Sequence, residues 1–251
     1  MLRVKEILAK SVLNKSKIFD YCVNPYTGCQ IACPYCYARL FMRRYSGHEE
    51  AWGDFVDVKI NAPEILKKQL ERAKRGTVWV SSVCDPYQPL EKKYRLTRQC
   101  LVELLEKQFP LNLQTKSALV LRDMDLLTAF EEAEVGFTIT TENEVMAKLF
   151  EPKASSVEDR IDALGEIKSR GVKTFAFIGP ILPGNPRRLV QRLAGKVNRI
   201  YVDRMNYMST ISRFYYSHGL KEGTTDAFFQ KYKNELVDAL KQYEIPYEVF
   251  F

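Results

Sequence analysis

Three cysteines lie within eight residues of this chain, at Cys29, Cys33 and Cys36. Soft thiolate ligands gathered on one short segment favour a soft metal or an iron–sulfur cluster. An iron–sulfur cubane contains four irons, so three protein thiolates leave one iron open to bind another molecule. The spacing therefore predicts a reactive metal centre rather than a closed structural one.

The cysteine count favours metal binding over a disulfide framework. The chain has 251 residues and six cysteines, and half of these cysteines crowd one segment. Disulfide frameworks belong to much shorter secreted chains, so we expect free thiols in a reducing compartment. The chain has two histidines, His48 and His218, which argues against a zinc site built on histidine pairs.

Hydropathy and charge indicate whether this protein binds a membrane or a polyanion. No apolar run approaches the roughly 20 residues that cross a bilayer, and the N-terminal residues lack the apolar core of a signal peptide. We therefore expect a cytoplasmic protein with no membrane partner. The formal charge of +7 favours polyanions, but a solvated basic surface explains it as well.

Short β-rich runs alternate with amphipathic helical segments, which is typical of parallel strands joined by crossover helices. The predicted strands are 21–26, 77–83, 111–115, 135–140, 172–178 and 199–202, with an exposed extra strand at 55–60 and an edge strand at 247–251. The predicted helices are 35–45, 63–75, 97–108, 126–134, 155–170, 186–194, 207–216 and 225–243. Capping boxes at Thr141–Glu144 and Ser155–Glu158 mark two helix starts.

This pattern predicts an α/β fold, a partial (β/α)6 barrel with C-terminal helical additions. We expect one domain over residues 1–251, with a core at about 20–205 and the helices of 206–251 packed on the barrel. Sites in such folds collect at the carboxyl ends of the strands. The cysteine segment and the residues around 84–85, 116–117 and 140–141 all fall there.

The cysteine segment resembles the signature of the radical S-adenosylmethionine enzymes, with Cys-x3-Cys-x2-Cys and an aromatic Tyr35 before the last cysteine. The wider sequence is similar to the branch that contains spore photoproduct lyase. This resemblance covers roughly residues 20–205, and it is carried by the runs 24–39, 81–91, 96–98, 115–117, 151–152 and 202–204. The first two runs are specific.

The resemblance implies a [4Fe–4S] cluster on Cys29, Cys33 and Cys36, whose fourth iron chelates S-adenosylmethionine. Reductive cleavage of that molecule gives a 5′-deoxyadenosyl radical, which abstracts a substrate hydrogen. An electron donor such as a flavodoxin or ferredoxin is implied as a partner. The alternative is a structural zinc site with Cys22 or Cys84 as a fourth ligand, although zinc sites usually show two paired cysteine groups.

Five further residues are candidates for binding S-adenosylmethionine, each with a structural alternative. The resemblance implies that Tyr37 lines the site and that Tyr35 packs near the adenine; the alternative for both tyrosines is core packing. It also implies that Lys116 reaches the carboxylate of S-adenosylmethionine; the alternative is an exposed surface lysine. Asp85 is a candidate acceptor for the methionyl amino group, because the chain lacks the Gly-Gly-Glu run common in this superfamily, or it caps a turn before Pro86. Thr140 is a candidate for a ribose hydroxyl, or simply a strand former.

Cys84 is a candidate catalytic residue. Spore photoproduct lyase has a cysteine in this general region that returns a hydrogen atom to its product radical, although the local sequences do not align it with Cys84. Burial as a small hydrophobic residue is the alternative.

Three functions therefore stay open. The first is a radical enzyme acting on a nucleic acid, and the second is the same chemistry on a small molecule or a protein side chain. The third is a zinc-stabilised binding module without catalysis.

Overall fold

The computed structural model describes the backbone of residues 2–251 and the side chains of all of these except residues 43 and 44. The strands are β1 (Arg3–Ile7), β2 (Leu13–Lys15), β3 (Tyr21–Val23), β4 (Tyr26–Thr27), β5 (Phe55–Lys59), β6 (Val78–Val80), β7 (Leu111–Thr115), β8 (Ala133–Thr138), β9 (Lys173–Ile178), β10 (Arg199–Val202) and β11 (Tyr247–Val249). The helices are α1 (Ala38–Ser46), α2 (Ala62–Leu70), α3 (Glu91–Tyr94), α4 (Leu96–Glu106), α5 (Met124–Leu127), α6 (Glu144–Phe150), α7 (Val157–Ser169), α8 (Pro186–Leu193), α9 (Met208–Ser217) and α10 (Asp226–Gln242). Two 3-10 segments cover Ala118–Asp123 and Lys221–Thr224.

The large sheet has the strand order β11-β10-β9-β8-β7-β6-β3-β2. All neighbours pair in parallel except β2, which runs antiparallel to β3. Since β2 and β11 form its two edges, the sheet does not close on itself. The predicted α/β fold with parallel strands is confirmed, the sheet is open as expected for a partial barrel, and β11 is the predicted edge strand.

Side chains of the central strands alternate between two environments, as the pleat requires. In β7, Leu111 and Leu113 join the main hydrophobic core, whereas Asn112 and Gln114 line a cavity. The same division holds in β9 and β10, where Ala176, Ile178, Ile200 and Val202 lie in the core and Phe175, Phe177 and Tyr201 line the cavity. The inner face of the sheet is therefore a cavity wall.

A second, small sheet has the order β1-β5-β4 and lies against the cysteine segment. A Cβ at Gly28 would stand 2.4 Å from the Phe55 carbonyl oxygen, and one at Gly53 would stand 2.3 Å from the Ala32 Cβ. Both glycines have positive φ, +89° and +100°. Only glycine fits these two positions, so the contact between the sheet and the cysteine segment depends on them.

The small sheet corrects two predictions. The predicted strand 21–26 is split between β3 in the large sheet and β4 in the small one. The strand predicted to be exposed at 55–60 is buried as β5, since Val56 and Val58 pack with Tyr26 and Leu96. Strands β1 and β2 were not predicted, because their residues are mostly polar and exposed.

The predicted helix at 126–134 is wrong. Only the short α5 forms there, and β8 already begins at Ala133. The predictions of Thr141 and Ser155 as helix-capping residues are also wrong. Asn143 caps α6 through its side chain, and Ser156 caps α7 by accepting from the Asp159 amide.

The predicted cap residues make tertiary hydrogen bonds instead. The Thr141 hydroxyl donates to the Pro183 carbonyl at 2.9 Å, and the Ser155 hydroxyl accepts from the Ala118 amide at 2.9 Å. Each therefore joins two loops rather than starting a helix.

The apolar stripe of α10 is buried as predicted, at Phe229, Tyr232, Leu236 and Leu240, and this helix packs against α8. A single domain with the stated core remains a prediction. Within residues 2–251, no helix is both long enough and apolar enough to cross a membrane.

Gly136 offers a test of how tightly the inner face is packed. A Cβ on this β8 residue would stand 2.3 Å from the Phe175 ring. We expect Gly136→Ala to lower the free energy of unfolding by about 1–3 kcal/mol, since overpacking displaces the ring. Urea denaturation measures this change.

Gly165 is the matched control for that substitution. It lies within α7, and a Cβ there meets only the Lys196 side chain at 3.5 Å. Gly165→Ala should raise stability by about 0.5–1 kcal/mol, because alanine is the better helix former. Equal stability of wild type and Gly136→Ala would show that the inner face is loosely packed.

Candidate functional site

The three cysteines lie on the segment between β4 and α1. Cys29 and Cys33 are buried and Cys36 is partly buried. The segment turns twice, with the Ala32 amide donating to the Cys29 carbonyl at 3.4 Å and the Cys36 amide donating to the Cys33 carbonyl at 3.1 Å. These turns bring all three residues to the wall of one cavity.

That cavity has a volume of about 630 Å³, and residues at the carboxyl ends of the parallel strands form part of its lining. Cys84 and Asp85 follow β6, and Lys116 follows β7; all three line it, as does Tyr37. The structure therefore brings together seven of the nine predicted site residues. Tyr35 and Thr140 lie behind the wall instead.

The thiols suit an iron–sulfur cubane better than a zinc ion. None of the six cysteines forms a disulfide. Across the described residues, no three Cys, His, Asp or Glu side chains are gathered closely enough to hold one metal ion. Tetrahedral zinc needs sulfurs about 4 Å apart, since each Zn–S bond is about 2.3 Å. A cubane binds each thiolate to a different iron, so it accepts a wider spacing, and the zinc alternative is unsupported.

Burial raises the pKa of all three thiols, that of Cys33 to about 12, and the Lys116 ammonium only partly offsets this for Cys33 and Cys36. At neutral pH the free thiols are therefore protonated. Binding of iron must release these protons, which couples loading of the metal to pH.

Lys116 brings a cation to this cavity. Its ammonium has no hydrogen-bond or ion-pair partner among the described side chains, and its nearest ring contact is Tyr35, at 5.9 Å from the ring centroid. Burial lowers its pKa, but Cys33, Glu151 and Asp85 outweigh that effect and raise it. The side chain is thus a charged donor facing the cavity, suited to a ligand carboxylate.

Asp85 connects the cysteine segment to the ends of two strands. Its backbone amide donates to the Cys29 sulfur at 3.4 Å. Its carboxylate accepts from the Tyr87 amide at 2.9 Å, from the Thr115 hydroxyl at 2.7 Å and from the Lys116 amide at 2.8 Å. The predicted turn cap is therefore present. A carboxylate has about four acceptor positions, so one is left for a ligand.

Tyr35 is held by a buried ion pair that the sequence did not predict. Its hydroxyl donates to Glu151, whose other oxygen accepts from Arg160 at 2.6 Å. Both charged groups are almost fully buried, and Arg160 also donates to the Thr138 carbonyl at 2.9 Å. A charged residue on the buried face of α7, beside Val157, Ile161 and Leu164, was the available signal for this network.

Thr140 and Tyr37 make contacts that differ from those proposed for a cofactor. The Thr140 hydroxyl donates to the Glu151 carboxylate at 3.3 Å and is fully buried. The Tyr37 hydroxyl donates to the Ser82 carbonyl, which ties the cysteine segment to the end of β6. Contact of either residue with a ribose or another cofactor group remains a prediction.

Cys84 lines the same cavity as the three clustered thiols. Its thiol donates weakly to the Tyr26 carbonyl at 3.6 Å, and burial raises its pKa to about 12. A neutral thiol facing the cavity keeps its S–H hydrogen. Transfer of that hydrogen to a substrate radical stays a prediction.

The far wall of the cavity consists of residues that were not predicted from the sequence. Aromatic rings and amides occupy inward positions of β6, β7, β9 and β10, at Trp79, Asn112, Gln114, Phe175, Phe177 and Tyr201, and Phe250 follows directly after β11. The Tyr201 and Phe250 rings are stacked at 6.0 Å. The alternation of side chains between the two faces of each strand was the available signal. It identifies the cavity-lining residues only when one knows which face of the sheet points toward the cavity.

Comparison with known proteins agrees with this geometry. The Radical SAM superfamily model matches residues 23–196. An uncharacterized protein of Methanocaldococcus jannaschii is 34% identical over 97% of this chain and 95% of its own length. The radical SAM Nalpha-GlyT isomerase of Pseudomonas phage M6 is 26% identical over 69% of this chain and 37% of its own length.

Among solved structures, spore photoproduct lyase complexed with a dinucleoside spore photoproduct superposes with a TM-score of 0.71 at 16% identity. The match covers 98% of this chain and 81% of the lyase. At that identity the likeness shows a shared fold. Together with the family match, it shows that this chain is an enzyme of the radical SAM superfamily, with a fold like that of spore photoproduct lyase.

Proposed function

We propose that this enzyme holds a [4Fe–4S] cluster on Cys29, Cys33 and Cys36, cleaves S-adenosylmethionine reductively, and abstracts a hydrogen atom from a base of a nucleic acid. The observation that carries the proposal is the single cavity that gathers three thiols and the unpaired ammonium of Lys116. No other cavity of the described chain combines soft ligands with a partly buried cation in this way.

The cluster, when bound, supplies the electron that breaks the sulfonium C–S bond, and the resulting 5′-deoxyadenosyl radical takes the substrate hydrogen. Lys116 binds the methionyl carboxylate, and Asp85 offers its remaining acceptor position to the methionyl amino group. The apolar and aromatic walls exclude water from the reacting atoms. An electron donor such as a flavodoxin or ferredoxin reduces the cluster.

A nucleic acid is favoured as substrate by the far wall of the cavity. Aromatic rings stack on bases, and the amides of Asn112 and Gln114 suit the hydrogen-bonding edge of a base. Lys116 is the sole Lys or Arg among the described residues that line the cavity, and Asp203 and Glu248 line it as well. The phosphates would therefore stay outside, against the basic surface of a chain with a charge of +7.

Two of the related proteins support a nucleic-acid substrate, whereas another structural neighbour, SuiB of Streptococcus suis, is bound to a precursor peptide. The spore photoproduct lyase structure holds a dinucleoside photoproduct. The substrate of the phage isomerase is Nalpha-GlyT, as its name states. The lyase shares the fold of this chain and the isomerase shares its superfamily, and their substrates support the proposal of a nucleic-acid base as substrate. A small molecule or a protein side chain is the alternative that the tests must separate.

Cys33→Ala should abolish release of 5′-deoxyadenosine from S-adenosylmethionine, because the cluster loses one of its three ligands. The assay is anaerobic, uses dithionite as reductant, and is read by chromatography. Cys100→Ala is the matched control, since Cys100 is buried in α4 away from the cavity. Persistent release by Cys33→Ala at the control's rate would contradict the cluster assignment.

Polynucleotides should raise the rate of 5′-deoxyadenosine release at low salt, and the stimulation should fall as salt is added, since phosphate contacts are screened. Single- and double-stranded DNA and RNA are compared with heparin, a polyanion without bases. Stimulation by heparin alone would indicate that the enzyme binds polyanions through their charge and does not recognise bases. If a peptide or small molecule stimulates release and no polynucleotide does, the substrate assignment is wrong while the radical chemistry stands.

Lys116→Met should weaken binding of S-adenosylmethionine about tenfold or more, which is the typical effect of losing a charge-assisted hydrogen bond. The Kd is measured by titration followed by electron paramagnetic resonance of the reduced cluster. Lys68→Met, on the exposed face of α2, is the control. An unchanged Kd with normal iron content would remove Lys116 from the binding site.

A further inference from the structure

Trp52 lies between α1 and β5 and lines the same cavity as the three clustered thiols. Its ring packs on the buried group formed by Cys29, Ile31 and Cys33. The adjacent Gly53 contacts Ala32 so closely that a Cβ would stand 2.3 Å from the Ala32 Cβ. Two separate contacts therefore fix the Trp52 segment against the cysteine segment.

The indole nitrogen of Trp52 is buried and has no hydrogen-bond partner among the described residues. An indole N–H is a donor only, and buried donors in folded proteins almost always have an acceptor. Cys36 and Cys84 pack against the same buried group of Cys29, Ile31 and Cys33 as this ring does, so four thiols lie on or beside the group that the indole contacts. Trp52 therefore carries a buried donor without an acceptor, on a residue that packs against the thiols expected to hold a sulfur-rich group.

The ring is held by its neighbours. Trp52 packs edge-on against Phe55, with ring centroids 6.0 Å apart and planes at 78°, and Phe55 stacks on His48 at 4.1 Å. Both His48 nitrogens have partners, Glu50 and Asp57, each at 3.1 Å. The orientation of the indole is therefore set by a packed stack of side chains, so its unpaired N–H is not the result of a mobile side chain.

We infer that Trp52 is a positioning residue that donates its indole N–H to a sulfur of the bound cluster and thereby raises the cluster's reduction potential. This inference rests on the proposed function, because it needs the cluster on Cys29, Cys33 and Cys36. The reduced cluster carries one more negative charge than the oxidised one. A hydrogen bond to sulfur stabilises the reduced form more, which makes the cluster easier to reduce.

Trp79 provides a matched control inside the same chain. It is the second of the two tryptophans, its indole nitrogen is also buried without a partner, and it lines the same cavity. It lies on β6 against Phe19, with ring centroids 5.8 Å apart, and does not belong to the side chains packed around Cys29 and Cys33 in the described chain. The same Trp→Phe change can therefore be made near the thiols and away from them.

The first test is a redox titration of the reconstituted enzyme, with Trp52→Phe and Trp79→Phe compared with wild type. Trp52→Phe should lower the ratio of reduced to oxidised cluster about tenfold at a fixed potential, which is about 59 mV for a one-electron couple. Trp79→Phe should leave the ratio unchanged. Equal potentials for Trp52→Phe and wild type, at equal iron and sulfide content, would overturn the inference.

The second test does not depend on the folding of Trp52→Phe. In Trp79→Phe, Trp52 is the remaining tryptophan, so labelling indole nitrogen with ¹⁵N places one label in the chain. Pulsed electron paramagnetic resonance should detect ¹⁵N coupling to the reduced cluster without S-adenosylmethionine. Absence of coupling, or coupling that appears only after S-adenosylmethionine is added, would overturn the inference. Failure of wild type to bind iron and sulfide would instead overturn the proposed function.

Discussion

The buried ion pair between Glu151 and Arg160 is the interaction on which the geometry of the site depends. Arg160 lies on α7 and donates hydrogen bonds to Glu151 and to the Thr138 carbonyl at the end of β8. Glu151 also accepts hydrogen bonds from the hydroxyls of Tyr35 and Thr140. Tyr35 stands between two of the cysteines, so this pair anchors the cysteine segment to the sheet. Removing one partner of such a pair leaves an uncompensated buried charge, which typically costs about 3–5 kcal/mol.

The same pair sets the electrostatics of the cavity. Burial alone would raise the pKa of Glu151, but Arg160 and Lys116 outweigh it and hold that pKa below its usual value. Glu151 therefore stays ionised and helps to keep Lys116 protonated, although no described side chain forms a hydrogen bond or an ion pair with the Lys116 ammonium. A cation stabilised by nearby anions, yet not bonded to any of them, is available to an incoming carboxylate.

The cysteine segment is also supported from the opposite side by the small sheet. Gly28 and Gly53 allow Phe55 and Ala32 to approach without a Cβ in between, and Trp52 is carried into the cavity wall by this contact. The large sheet contributes the other walls through the pleat, which sends apolar residues to the helices and aromatic or amide residues inward. The site therefore lies where the small sheet, the cysteine segment and the large sheet meet.

The sequence by itself determined the parallel α/β fold and the exact bounds of strands β7 and β10. It also identified the three clustered thiols, and Cys84, Asp85 and Lys116, as candidate site residues, all of which line one cavity. These features are local, because strand periodicity and ligand spacing are properties of short segments. Only the tertiary structure decided that Thr140 binds Glu151, that Arg160 is buried, and that β5 is covered. Burial, strand direction and the partner of a polar group depend on residues far away in the chain, so no short segment could reveal them.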